Sequence, residues 1–182
     1  MKFANPAPLG LFGFAVTTWM LCMFNVGWFG LDTFPLMMST AFAFGGTAQF
    51  LAGLLEYPRG NTFGFVAFCS YGAFWFAFAL YLMVFGGKGP ITYLGAWLIV
   101  WGVFTVALWL ATLKLPKPNR VLQLVFLTLW IAFFLLGLSH VLDMHVLHTI
   151  GGWIGFLTAV EAFYLAAALV INEVEGKTVL PI

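Results

Sequence analysis

Six long apolar runs, separated by short polar segments, make up most of this 182-residue sequence. Each run holds roughly the 20 residues that a helix needs to cross a hydrocarbon core of about 30 Å. Glycine, proline and asparagine are concentrated between the runs, where they mark turns. The pattern predicts an all-α integral membrane protein, a bundle of six transmembrane helices in a single domain over residues 1–182. We place the spans at approximately residues 8–26, 33–55, 62–84, 91–113, 121–141 and 147–171.

The composition supports lipid as the outer solvent of the bundle. Hydrophobic residues make up 63% of the chain and charged residues only 7%, and the mean hydropathy is +1.05. A soluble domain carries about 25% charged residues. The net charge of +1 argues against a nucleic-acid partner. Cys22 and Cys69 both lie in apolar runs, where a packing role is expected, so the sequence predicts no metal and no cofactor.

Basic residues predict the orientation in the membrane. With the N-terminus inside, only Lys88 falls on the outer face. This asymmetry fits the positive-inside rule and places the N- and C-termini in the cytoplasm, with the chain a multi-pass protein of the plasma (inner) membrane. The inner face then carries Lys2, Arg59, Lys114, Lys117, Arg120 and Lys177.

The chain opens on an unusual polar segment, Asn5-Pro6-Ala7-Pro8-Leu9-Gly10, directly before the first span. Proline suits the first turn of a helix, because the amides of that turn have no partner within the helix. The free N–H groups and the positive end of the helix dipole would then face the cytoplasm and favour a small anion such as a carboxylate. A plain proline-started helix at the membrane interface is the alternative.

Polar side chains inside the predicted spans are few, and hydrocarbon makes each of them costly. Gln49 and Glu161 lie deep in the second and sixth spans, and Glu56 closes the second. Such groups are expected to face the bundle interior or a wet cavity. For Gln49 the alternative is a structural hydrogen bond between helices, and for Glu56 it is an ion pair with Arg59. Glu161 is either protonated, paired, or turned to a wet cavity or a subunit contact.

The third span begins with Asn61 and Thr62 and carries Ser70 near its middle. Asn61 and Thr62 are candidates for the substrate pathway; the alternative is that Thr62 caps the third helix and Asn61 caps the turn before it.

The three histidines of the chain, His140, His145 and His148, fall in one stretch between the fifth and sixth spans. A bis-histidine haem needs ligands from facing helices, whereas these residues are near neighbours in the sequence. Asp143 is the one acidic residue in the stretch, too few for a metal site. We therefore favour an interfacial, pH-sensitive outer loop over a metal or haem site.

Several motifs, in order along nearly the whole chain, resemble the acetate uptake transporter family of succinate–acetate permeases and their fungal relatives. They include Asn5-Pro6-Ala7-Pro8-Leu9-Gly10-Leu11, Gly53-Leu54-Leu55-Glu56-Tyr57, Gly60-Asn61-Thr62-Phe63-Gly64, Ser70-Tyr71-Gly72 and Gly152-Trp153-Ile154-Gly155. The resemblance implies six helices per protomer, a homo-oligomeric, hexameric ring, and one pathway for acetate and related short carboxylates through each protomer. Such a protein is not an enzyme.

The resemblance also implies site residues. Phe14, Tyr71 and Leu129 correspond to the bulky side chains that narrow the pathway in the family. Polar positions along the pathway correspond to Asn5, Gln49, Glu56, Asn61, Thr62 and Ser70. Glu161 and the histidine stretch depart from the family pattern, so we assign a proton or pH role to Glu161, His140, His145 and His148.

Two other functions compete with this interpretation. Asn5-Pro6-Ala7 resembles the tripeptide of aquaporin-type channels, which favours a water or neutral-solute channel, although that tripeptide occurs only once here. The histidines are the sole support for a haem- or quinone-binding subunit. The sequence does not decide between a passive channel and proton-coupled transport, the direction of flux, or the selectivity among acetate, succinate and lactate.

Overall fold

The structure, a computed structural model, describes residues 4–182 and is helical throughout its membrane region. Lys2, one of the residues counted for the orientation, lies outside the described residues. Six helical segments are long and apolar enough to cross a membrane, as the sequence predicted. Five are continuous helices: α1 (Ala7–Asn25), α4 (Thr62–Met83), α5 (Ile91–Thr112), α6 (Arg120–Leu142) and α7 (His145–Glu175).

The second span is built from several pieces rather than one regular helix. A 3₁₀ turn (Leu31–Thr33) leads into α2 (Phe34–Thr40), a π-helical segment (Ala41–Ala48), α3 (Gln49–Glu56) and a final 3₁₀ turn (Tyr57–Arg59). The wider π winding is visible at Thr47, whose hydroxyl donates to the Phe42 carbonyl five residues back at 3.0 Å. The segment ends directly before Gln49, and π segments frequently accompany functional sites.

Small residues bring the π segment close to its neighbours. A Cβ atom at Gly45 would lie 2.7 Å from Thr17 Oγ1 on α1 and 2.9 Å from Trp75 Cδ1 on α4. Only glycine fits there. In a membrane, where apolar burial does not drive helix association, such close approach is a main source of packing energy.

The helices form a closed ring around a central axis. α7 packs against α1 and α6, α6 packs against α5, and α3 with the π segment packs against α1 and α4. The ring closes between α4 and α5, where Phe74 stacks on Trp97 with ring centroids 4.8 Å apart. The outer surface is apolar even mid-span, as at Val100 and Val103 of α5, which fits a lipid or protein environment.

The predicted histidine loop is instead a two-residue turn. α6 continues to Leu142 and α7 begins at His145, so that only Asp143 and Met144 lie between the helices. Asp143 adopts a left-handed conformation with φ of 53°, and its amide hydrogen bonds to the Ser139 carbonyl. Aspartate tolerates this conformation better than most residues, so the chain reverses without the longer loop that the sequence implied.

Candidate permeation pathway

Three helices begin beside a cavity of about 130 Å³, which we call the amide cavity. Its lining includes Ala7 at the start of α1 together with the carboxamide side chains of Gln49, Asn61 and Asn119. The remaining lining is apolar and includes Leu11, Phe126 and Leu165. The lining of the cavity is therefore mainly apolar with a few amide groups, as is typical of small-molecule binding sites.

Asparagine stands at each of the three helix starts. The Oδ1 atoms of Asn5, Asn61 and Asn119 accept hydrogen bonds from the backbone amides of Ala7, Gly64 and Leu122, at 3.2, 3.0 and 2.8 Å. Because these contacts occupy the oxygens of Asn61 and Asn119, their NH₂ groups remain available as donors beside the cavity.

Gln49 is fully buried, with 1% of its surface exposed, and its Oε1 has no hydrogen-bond partner within residues 4–182. Nearly all buried polar groups find a partner in the protein, in ordered water or in a ligand. Since Gln49 lines the amide cavity, this side chain indicates that the cavity holds water or a polar solute.

A second cavity, of about 90 Å³, lies on the other side of the bundle centre, and we call it the histidine cavity. Its lining includes Asn25, His140 and His148, and its walls are otherwise mostly aromatic and aliphatic. The same three residues also line a wider mouth cavity of about 370 Å³, which adds Asp143 and His145. His140 and His148 thus stand where the narrow cavity meets the mouth.

The amide and histidine cavities share three lining residues, Phe14, Tyr71 and Leu129. All three are buried, and the rings of Phe14 and Tyr71 have centroids 6.0 Å apart. Tyr71 is anchored because its hydroxyl lies 2.9 Å from Thr105 Oγ1 of α5, and Thr105 in turn donates to the Trp101 carbonyl at 2.7 Å. The structure thus brings the three predicted constriction residues together between two cavities; their role in narrowing a flow stays a prediction.

Only two of the six predicted pathway positions line a described cavity, namely Gln49 and Asn61. Asn5 instead accepts a hydrogen bond from the Ala7 amide, just before the helical cap residue Pro6. Thr62 is exposed at the start of α4, and Ser70 is half-buried on the same helix outside the cavity linings given for residues 4–182. The roles of these residues in transport stay predictions.

Glu56 forms the ion pair that the sequence offered as the alternative to a pathway role. Its Oε2 lies 3.5 Å from Nε of Arg59, and its side chain is only 1% exposed. Arg59 also donates to the Ala4 carbonyl at 2.8 Å. The pair therefore ties the chain entering α1 to the end of the second span.

Glu161 belongs to a hydrogen-bonded chain between α6 and α7. Thr128 Oγ1 lies 2.7 Å from Glu161 Oε2, and Thr158 donates to Thr128 Oγ1 at 2.8 Å. Glu161 is half-buried and lies outside the amide and histidine cavity linings of the described chain. Its neighbour in the network, Thr128, directly precedes Leu129 in the sequence, and the network joins α6 to α7 beside that residue.

A model of the GPR1/FUN34/yaaH family matches residues 1–181 of this sequence. The chain belongs to this family. The succinate-acetate/proton symporter SatP of Escherichia coli is 45% identical over 187 residues, covering 100% of this chain and 96% of that protein. Acetate permease A of Emericella nidulans is 35% identical over 201 residues, covering 100% of this chain and 66% of its own length.

A solved structure of the bacterial acetate channel SatP superposes with a TM-score of 0.93 at 45% identity, covering 100% of this chain and 99% of that one. Members of the GPR1/FUN34/yaaH family with these names are transporters or channels. The chain is accordingly a multi-pass membrane transport protein and not an enzyme, which confirms the sequence prediction.

Sequence reasoning missed Asn25 and Asn119, which line the histidine and amide cavities of this family member. Asn119 carried a usable signal, because an asparagine at the beginning of a predicted helix marks its N-terminal cap. Asn25 carried none, because an asparagine followed by glycine two residues later indicates only a turn.

Proposed function

We propose that this member of the GPR1/FUN34/yaaH family is a channel or permease for acetate and related short monocarboxylates, with succinate as a further candidate. The anion passes within each protomer from the amide cavity, through a narrow hydrophobic collar, to the histidine cavity. The observation that carries the proposal is that two cavities on opposite sides of the bundle centre share Phe14, Tyr71 and Leu129.

The amide cavity has the chemistry to receive an anion. The NH₂ groups of Asn61 and Asn119 are donors, and the starts of α1, α4 and α6 bring the positive ends of three helix dipoles to the same region. A short carboxylic acid titrates near the glutamate reference pKa of about 4.3, so at neutral pH nearly all of it is the anion. The free acid crosses lipid unaided, whereas the anion needs such a path.

The collar has the chemistry to select by size and to exclude bulk water. Phe14 and Leu129 present only apolar atoms, and the hydroxyl of Tyr71 is held by Thr105. An apolar constriction of this kind can close by dewetting, while polar groups on either side hold the ion.

We propose that protomers assemble into a homo-oligomeric, hexameric ring in the plasma (inner) membrane, with both termini in the cytoplasm. An even number of spans places the termini on one side, and the amide cavity then faces the cytoplasm. Exposed apolar side chains over the outside of the bundle supply surface for both lipid and neighbouring protomers.

Uptake of labelled acetate into liposomes containing the purified protein tests the proposal. We expect uptake above that of empty liposomes and inhibition by other short monocarboxylates. Repeating the assay with an imposed proton gradient distinguishes a channel from a symporter, because only coupling accumulates acetate beyond the distribution expected for passive acid and anion movement. Uptake equal to that of empty liposomes would refute the proposal.

The water or neutral-solute channel remains the second candidate, because the histidine cavity contains no acidic or basic side chain of the described chain other than its two histidines. Swelling of the same liposomes in glycerol or sucrose solutions tests this candidate. Water or glycerol flux without acetate flux would replace our proposal with it.

A further inference from the structure

We propose that His140 and His148 form a carboxylate-binding site that takes up a proton when the anion binds. The inference rests on the proposed function, since the carboxylate is the transported anion. It goes beyond that function by assigning a second binding position, with its own chemistry, on the opposite side of the collar from the amide cavity.

The two imidazoles come from different helices and meet at one point of the pathway. Their ring centroids are 5.5 Å apart in an edge-to-face arrangement, with His140 near the end of α6 and His148 in the second turn of α7. Both line the histidine cavity and the mouth cavity. An anion leaving the collar toward the mouth passes between or beside these rings.

Packing holds the site in place. α7 approaches the end of α1 so closely that a Cβ atom at Gly152 would lie 3.0 Å from the Cβ atom of Asn25. Asn25 lines both cavities as well. The backbone of Asn25 hydrogen-bonds to His148, while the other walls of the narrow cavity are largely apolar.

The titratable groups around the pair are few. In the described chain, α1 contributes Cys22 and α4 contributes Tyr71 to the histidine cavity, and its lining from α5 is Leu94 and Leu98. On the mouth side, the turn and α7 contribute Asp143 and His145. Asp143 and His145 line only the mouth, so the narrow cavity holds no carboxylate that would already neutralise an imidazolium.

Proton linkage follows from this composition. Imidazole ordinarily has a pKa of about 6.5, which makes it the one common side chain poised to change charge near neutral pH. A carboxylate between two imidazoles favours the protonated form of at least one, since the pair gains a charge-assisted hydrogen bond. By reciprocity, protonation tightens anion binding by the same factor. The proton comes from solvent through the mouth and returns there when the anion leaves.

Calorimetry of acetate binding to the purified protein tests the site directly. Measured in buffers of different ionisation enthalpy at about pH 7, wild-type protein should take up a fraction of a proton per acetate bound. The apparent affinity should increase as the pH falls from about 8 to about 6, and the His140→Gln/His148→Gln double variant should lose about tenfold in affinity at the lower pH. Proton uptake should disappear in that variant.

His145→Gln is the comparison variant, because it makes the same substitution on α7 at a residue that lines the mouth but not the narrow cavity. The ring of His145 stacks on that of His148 with centroids 6.3 Å apart, so the variant also tests whether a neighbouring imidazole outside the narrow cavity is needed. It should keep the proton uptake. Proton uptake that persists in the double variant would overturn the site, since the proton would then travel on the acetate itself. Absence of proton uptake in the wild type would overturn it whatever the variants do.

Binding and uptake measurements together distinguish a failure of the histidine site from a failure of the proposed function. A protein that moves labelled acetate but binds it without proton uptake refutes the histidine site alone. A protein that neither binds nor moves acetate refutes the proposed function first.

Discussion

The side-chain amide of an asparagine at the start of a helix carries an acceptor oxygen and a donor NH₂ group, and both have a role in this protein. In Asn61 and Asn119 the oxygen caps the helix, and the NH₂ group faces the amide cavity. Aspartate caps a helix as well as asparagine does, but it brings a negative charge and no donor. Substitutions at one such asparagine can therefore test its role as a helix cap and its role as a hydrogen-bond donor separately.

We predict that Asn119→Asp folds like the wild type but transports acetate poorly, because a carboxylate in a greasy cavity repels the anion. Asn119→Ala should show the opposite pattern, with a loss of about 1 kcal/mol in stability from the missing cap and a smaller loss of uptake. Thermal unfolding in detergent and labelled acetate uptake measure the two effects. Equal uptake by Asn119→Asp and wild type would contradict the role of Asn119 as a donor.

Leu129 is the aliphatic member of the collar, and its truncation should enlarge the passage. We predict that Leu129→Ala raises the ratio of lactate to acetate uptake by roughly tenfold, because a pocket discriminates by size on that scale for small groups. Competition of each acid against labelled acetate provides the measurement.

Leu138→Ala is the control for Leu129→Ala, because it removes the same atoms from the same helix at an exposed position. Its selectivity should match that of the wild type. If Leu129→Ala were equally selective, Leu129 would not belong to the collar.

At the scale of elements, the packing of α5 against α6 depends on glycine at one crossing. A Cβ atom at Gly95 would lie 2.6 Å from the Gly137 carbonyl oxygen, whereas one at Gly102 would meet side-chain atoms only, the nearest being Phe134 Cε2 at 3.3 Å and Phe133 Cβ at 3.4 Å. A backbone carbonyl cannot move aside as a side chain can. The two glycines of α5 therefore differ in what they tolerate.

We predict that Gly95→Ala lowers the stability of the bundle by about 1–3 kcal/mol, as expected for overpacking. Gly102→Ala should be nearly neutral, because alanine is the better helix former by about 1 kcal/mol and this gain offsets the contact with Phe134. Thermal unfolding of both variants in the same detergent makes the comparison. Equal unfolding temperatures would show that α5 and α6 can separate to accept the methyl group.

The elements illustrate what a hydropathy pattern can and cannot predict. All six spans were predicted, since runs of about 20 apolar residues have few alternatives in a membrane. The irregular winding of the second span was not, because the sequence of Ala41–Ala48 is as apolar as its surroundings and the π winding follows from its contacts with α1 and α4. The histidine turn was predicted as a loop because polar residues near the end of a span obscure where its helix stops.

At the scale of the molecule, the proposed pathway is formed by the helices of a single protomer. The two cavities and the collar between them are lined by residues of one chain. If protomers assemble into a ring, each one should work independently.

Mixed oligomers of wild-type and Leu129→Ala protomers test this independence. We predict that lactate uptake rises in direct proportion to the fraction of Leu129→Ala protomers, which co-expression with two different tags allows one to set and measure. A rise with a higher power of that fraction would place the pathway between protomers instead.

The site was less predictable than the fold, because the sequence shows which polar residues lie within a span but not what each of them contacts. Gln49 and Asn61 were selected because polar groups are costly inside a span, and both line the amide cavity. The same rule selected Glu56 and Glu161, which lie outside the cavity linings given for residues 4–182. Glu56 pairs with Arg59 through Oε2, while its Oε1 has no hydrogen-bond partner within those residues, and Glu161 accepts from Thr128. The sequence shows that burying each of these polar side chains in the membrane costs free energy, but it does not show which contact offsets that cost.

The linings of the amide and histidine cavities contain no lysine, arginine, aspartate or glutamate within residues 4–182. An anion that crosses without a proton moves one negative charge across the membrane, and the membrane voltage acts on that charge. For an interior that is negative by about 100 mV, the cost of entry is about 2.3 kcal/mol per charge. That cost corresponds to roughly a fifty-fold bias toward release. The same passage would let an energised cell expel acetate when the anion moves alone, and would favour uptake only when a proton crosses with it.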